Sequence, residues 1–174
     1  MALVLREATA ADRAAVAAVH RTAFGRADEA QLIDALVDTG DALVSLVAEV
    51  DGVTAGHVLF SKLTVTTDRG DAMAAAALAP LAVVPAFQRC GIGAALVNLG
   101  LTLIAARHVA LVIVLGDPRY YARFGFSAAL TATLQGPFAG PSWMALYVVP
   151  NALADRRATV RYPDAFNCLT PHAS

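Results

Sequence analysis

Two sets of residues in this sequence carry recognisable chemistry: the hexapeptide Gln88-Arg89-Cys90-Gly91-Ile92-Gly93 and, about thirty residues later, Tyr121 in Tyr-x-x-x-Gly-Phe. The hexapeptide follows the short apolar stretch Leu81-Ala82-Val83-Val84 and precedes an apolar helical run that opens near Ile92. Where a loop turns into a helix, several main-chain N–H groups lack acceptors, and the helix dipole adds partial positive charge there. Such a point suits a phosphate or pyrophosphate. Glycine at positions 91 and 93 lets phosphate oxygens approach the backbone and permits torsions that other residues resist. A glycine pair before a helix also serves plain tight turns. A P-loop is excluded because no Gly-Lys-Ser/Thr follows, and a dinucleotide fingerprint fits poorly because Gly91-x-Gly93-x-x-Leu96 lacks the third glycine.

The elements that must position these residues are legible from patterning. Leu3 to Glu7 reads as a strand. Thr9 to Asp12 reads as a helix cap, with a helix to about Phe24. A second helix is expected from Asp28 to Val37 with Leu32, Ile33 and Leu36 facing inward. Ser45–Val50, Asp51-Gly52 and Val53–Val65 form a hairpin signature. Met73–Val83 is the next strand, and Pro80 within it predicts a bulge or a splayed edge, since proline cannot donate to a ladder. A helix from Ile92 to Arg107, a buried strand Ala110–Leu115 and a short helix opened by Pro118 and closed by Gly125 follow. Asp117 reads as the cap of that short helix. Strands at Met144–Val149 and Ala158–Tyr162 complete an α/β (α+β) domain with a mixed sheet.

Composition narrows the function classes. Hydrophobic residues make up 57% and charged residues 16%, with much of the apolar content alanine, which indicates a compact helix-containing globule. A net charge of −1 from 13 basic and 14 acidic residues, without a basic block, argues against a nucleic-acid partner. Cys90 and Cys168 have no metal-ligand spacing with the four histidines, so no metal is expected. Charge at Arg6 and Glu7 argues against a signal peptide, and prolines 80 and 85 interrupt the longest apolar run short of a membrane span. A cytoplasmic protein with no membrane partner is the expectation.

The order strand, Gln-x-x-Gly-x-Gly, helix, strand, Tyr-x-x-x-Gly-Phe resembles the GNAT superfamily of acetyl-CoA-dependent N-acetyltransferases. Leu78-Ala-Pro-Leu-Ala-Val83 and Leu115 to Phe126 are similar to its bacterial YhbS-like branch. The resemblance implies a GNAT-like fold, a mixed central sheet splayed at an acetyl-CoA cleft and flanked by helices. It implies one N-acetyltransferase domain over 1–174, with the acetyl-CoA core at about 73–126 and acceptor-side elements at about 9–40 and 127–165. It also implies that Gln88, Arg89, Cys90, Gly91, Ile92, Gly93 and the amide of Ala94 hold the CoA pyrophosphate. Leu81, Ala82 and Val83 then meet the pantetheine arm and thioester, with Tyr121 and Phe124 beside them. By the same resemblance Tyr121 is the general acid toward the leaving thiolate, since it alone lies four residues before Gly125. A fixed N–H such as that of Val83 would stabilise the oxyanion formed when an amine attacks the thioester.

The implied activity is transfer of acetyl from acetyl-CoA to a primary amine of a small molecule or a peptide N-terminus. The attack is direct, in a ternary complex. The alternative is a CoA-binding sensor module with little turnover. Glu29, Glu49, His57, Asp71 or a water are the candidates for the base that deprotonates the amine. Apolar loops from Leu134 to Trp143, including Phe138 and Trp143, and the two N-terminal helices are expected to line the acceptor pocket. A homodimer through an exposed sheet edge near the C-terminus is the one assembly that the pattern suggests.

Overall fold

A computed structural model describes residues 1–169. Its centre is a mixed sheet of eight strands: β1 (Leu3–Glu7), β2 (Ala42–Val50), β3 (Val53–Thr67), β4 (Ala72–Val83), β5 (Leu111–Leu115), β6 (Leu134–Gln135), β7 (Trp143–Tyr147) and β8 (Ala158–Arg161). The main path runs β1-β2-β3-β4-β5-β7, while β8 pairs with the far half of β3 and carries the two-residue β6 on its other side. All the main pairings are antiparallel except β4 with β5. The β2–β3 hairpin turns at Asp51 and Gly52, with φ of 49° and 81°, the left-handed torsions that an Asp-Gly turn favours.

Helices α1 (Arg13–Phe24) and α2 (Asp28–Asp38) cover one face, and α3 (Ile92–Ala105) covers the other. Thr9 opens the first helical segment through a capping box. Its N–H and hydroxyl donate to the Asp12 carboxylate at 2.7 and 3.0 Å. Hydrogen bonds from Arg6, then from Thr9, hold the Asp12 carboxyl well below the usual carboxylate range. On the opposite face α3 comes close to the sheet because Gly100 carries no side chain. A Cβ there would lie 2.2 Å from the Phe60 ring.

The patterning expectations hold for the strands and helices around the loop, with one gap and one correction. The two-residue β6 left no periodic signal. Trp143, expected to line a pocket, is instead 1% exposed within β7, and its indole N–H donates to the Tyr162 hydroxyl at 2.9 Å. Among the described residues no helix is long and apolar enough to cross a membrane.

Candidate functional site

Strands β4 and β5 pair only from Ala75↔Leu111 to Ala77↔Ile113. Beyond that point they part. The cause is local to β4, where Pro80 has no N–H to donate and four β4 residues, Leu78 to Leu81, stand against three on β3, Phe60 to Val58. The bulge keeps β4 on β3, with Ala82 opposite His57 and Val83 opposite Gly56, while withdrawing it from β5. A cleft of about 610 Å³ opens there, lined by Leu78 to Leu81 on one wall and Leu115, Gly116 and Tyr121 on another. That volume lies in the range of small-molecule sites.

At the other end of the splayed strand lies the start of α3. Gly91 is its N-cap at φ 83°, and Arg89 also has a left-handed φ of 61°. The first intrahelical bond runs from Ala95 N–H to Gly91 C=O at 3.0 Å, so the N–H groups of Ile92, Gly93 and Ala94 have no helical acceptor. The Ile92 side chain points the other way, into the core at 1% exposure, so it offers only its main chain. Gln88, Arg89, Gly91, Gly93 and Ala94 line a second pocket of about 590 Å³, together with Val83, Tyr120 and Arg123. The Gln88 amide turns back to donate to the Val83 carbonyl at 2.9 Å. Cys90 is exposed, its thiol 3.5 Å from the Gln88 carbonyl.

The two tyrosines of α4 (Pro118–Tyr121) divide between these pockets. Asp117 caps that helix as its sequence suggests, accepting the Arg119 N–H at 2.9 Å. Tyr121 lines the cleft, and its ring sits where a side chain on Gly116 would collide at 2.5 Å. Burial, then the adjacent Tyr120, push its phenol up to about 12, so it stays protonated at neutral pH. Tyr120 instead covers the start of α3. Its hydroxyl lies 2.7 Å from where a Cβ of Gly93 would stand, and Arg123 sits 4.6 Å over its ring. Phe124 packs edge-on to Tyr120 at 5.6 Å and against the core, outside the lining of both pockets.

Of the four side chains expected as bases, the structure brings only Glu29 to the cleft. Glu49 is drawn to Arg6, which bonds it at 2.5 Å while gripping Asp12. Asp71 sits beyond the far end of β4, paired with Arg156 at 2.8 Å. His57 is fully buried under α1. Its Nδ1 is 2.9 Å from His20 Nε2, and its Nε2 is 2.9 Å from the Ser45 hydroxyl. Burial, as the first cause, depresses both histidines well below the ordinary value and keeps them neutral. Glu29 is 5% exposed and accepts from Arg26 Nε at 3.0 and 3.2 Å and from its terminal nitrogen at 2.5 Å. The sequence reading missed Arg26, Tyr162 and Phe166, which also line the cleft.

Comparison with known proteins agrees with this architecture. A family model described as an acetyltransferase (GNAT) domain matches residues 4–129, and the chain belongs to the GNAT family of acetyltransferases. It is therefore an acyltransferase. An N-acetyltransferase of Escherichia coli K12, YhbS, described as uncharacterized, is 30% identical over 168 residues, covering 95% of this chain and 99% of YhbS. YjhQ from the same organism is 35% identical over 117 residues, which span 66% of this chain but 64% of YjhQ. The crystal structure of E. coli YhbS in complex with CoA superposes with a TM-score of 0.86 at 30% identity, over 97% of this chain and 93% of that one. A GNAT family acetyltransferase from Brucella melitensis in complex with acetyl-CoA gives 0.77 at 29% identity, over 95% and 98%. The fold is GNAT-like, an open mixed sheet flanked by helices.

Proposed function

We propose that the protein moves the acetyl group of acetyl-CoA to a primary amine, on a small molecule or a peptide N-terminus, by direct attack in a ternary complex. The observation that carries this reading is the meeting of three features. The strand pair opens after Ala77↔Ile113, the uncapped N–H groups of Ile92 to Ala94 lie at one end of that opening, and Tyr121 lines it. Solved relatives in complex with CoA and acetyl-CoA support the choice of donor. Residues 1–174 act in this reading as one domain, with the cofactor core at about 73–126 and acceptor-side elements at about 9–40 and 127–165.

The pyrophosphate rests on the amides at the start of α3. The pantetheine arm follows Leu81 to Val83, and the main chain at Val83 stabilises the oxyanion. The amine nitrogen forms a bond to the thioester carbon, the carbon–sulfur bond breaks, and the amine loses one proton. The thiolate takes up a proton, and Tyr121 donates a hydrogen bond to it as charge develops. With a phenol near 12 and a thiol nearer 8.5, hydrogen bonding rather than early transfer is the favoured role. Glu29, the one side-chain base candidate at the cleft, is held by Arg26, so the ammonium gives up its first proton to water before attack.

Two measurements on the purified protein test this. Calorimetric titration with CoA must register binding, and thiol release from acetyl-CoA must depend on added amine. Binding without amine-dependent release would instead favour a CoA sensor. No heat with CoA would end both readings.

A further inference from the structure

The walls of the cleft distinguish among amines. Three aromatic rings from the C-terminal third stand edge to face: Phe138 against Tyr162 at 4.9 Å and 88°, and Tyr162 against Phe166 at 5.0 Å and 69°. The Trp143 indole N–H on the Tyr162 hydroxyl fixes the middle ring. Phe24, at the end of α1, adds a fourth ring to the lining from the N-terminal side. Edge-to-face walls of this kind accept one more flat ring at favourable centroid spacings.

The charges in the lining point the same way. Among the described residues it contains Arg26, Glu29 and Asp117 as its ionised side chains. Glu29 is engaged by Arg26 through three contacts of 2.5 to 3.2 Å. Asp117 is engaged by the Arg119 main chain and guanidinium at 2.9 to 3.2 Å. Each carboxylate of the lining already has a cationic partner. An acceptor with several ammonium groups would lose its hydration there without gaining a counter-ion for each. An acceptor with one amine brings a single charge, and sheds it before attack.

Resting on the acetyl-transfer reading above, we propose that the acceptor is a primary amine joined by a short aliphatic spacer to an aromatic ring, with no second cationic group. The ring lies among Phe138, Tyr162 and Phe166, and the amine faces the opening between β4 and β5. Polyamines and amino sugars are poor acceptors.

The test is thiol release from acetyl-CoA with 2-phenylethylamine and tryptamine, set against spermidine, glucosamine and a peptide with an N-terminal alanine. The aromatic amines should show kcat/KM higher by at least about tenfold, the scale on which an apolar pocket discriminates. Phe138, only partly buried, can be changed without opening the core. Phe138→Ala should raise KM for 2-phenylethylamine about tenfold while leaving KM for acetyl-CoA within about twofold. Phe138→Glu should narrow or reverse the margin over spermidine by adding an unpaired carboxylate. Calorimetry with acetyl-CoA separates the two levels of failure. No binding would sink the acetyl-transfer reading itself. Binding with no acceleration by any amine would sink the acetyl-transfer reading in favour of a sensor, whereas binding combined with preference for spermidine, glucosamine or the peptide would overturn the aromatic assignment alone.

Discussion

The two faces of the sheet are built from different materials. The face under α3 is uniformly apolar: Val58, Phe60, Ala76 and Leu78 meet Leu96, Val97 and Ile104, with Phe60 seated where Gly100 leaves room. The face under α1 and α2 holds every buried polar residue of the described chain: Asp12, His20, Glu29, and on β3 His57, Ser61 and Thr67. Those β3 positions alternate with Leu59, Leu63 and Val65, which pack into that second core. The apolar layer therefore offers a ligand its main chain, through the amides that open α3. The mixed layer offers side chains, through Glu29 and Arg26. A cofactor common to a whole family can be held by backbone, whereas a particular acceptor needs side chains.

The sharpest way to break the contrast is Gly100→Leu. Its side chain must occupy the volume of the Phe60 ring, so overpacking should cost about 3 kcal/mol, read as a shift in the urea midpoint at constant slope. Tyr121→Phe leaves the packing and removes only the hydroxyl of a residue that lines the cleft. We expect kcat to fall about a hundredfold with KM for acetyl-CoA within about twofold, measured by thiol release. Gly91→Val forces a β-branched residue toward a φ of 83° and re-aims the amides behind it. CoA affinity should drop by about tenfold or more in calorimetry, with a smaller change in melting temperature.

The mixed face also has a pH signature. His20 and His57 are held neutral in the fold, so the unfolded chain binds more protons than the native one below the ordinary histidine pKa of about 6.5. Stability is thus full above about pH 6.5 and declines as the pH falls from there, by up to about 1.4 kcal/mol per pH unit for each histidine. Asp12, whose pKa is also depressed, adds to the loss at lower pH, in the range where free carboxylates titrate. Melting temperatures from pH 8 to 4.5 check this, and the double variant His20→Gln, His57→Gln should flatten the slope even though it lowers the plateau. The smallest effect belongs to Asp71→Asn. Its exposed pair with Arg156 lies at the far end of β4, so kcat and melting temperature should barely move.

The same division explains what the sequence disclosed. A main-chain site announces itself through glycine and proline, because Gly91, Gly93 and Pro80 exist to shape backbone, and those positions were readable with their elements. Side-chain sites leave no such mark. Glu29, Glu49, His57 and Asp71 are equivalent candidates until the fold shows all four committed, to Arg26, Arg6, the His20–Ser45 chain and Arg156, with only Glu29 at the cleft. Trp143 and Phe138 looked alike in one apolar loop, yet the first opens β7 and is buried, while the second lies in the turn between β6 and β7, beside the cleft. Tyr162 and Phe166 join the site only through β8 pairing with the distant half of β3, a contact that no local pattern encodes.

Part of β4, Ala74 to Ala77, is made of the residue that most favours helix and is under-represented in strands. Its extended shape is imposed by neighbours, β3 arriving before it and β5 only after the whole of α3 has been synthesised. On a ribosome this segment has only its β3 edge to pair with until Leu111 to Ile113 emerge. The opening between the two strands would thus be among the last features to take shape as the nascent chain folds.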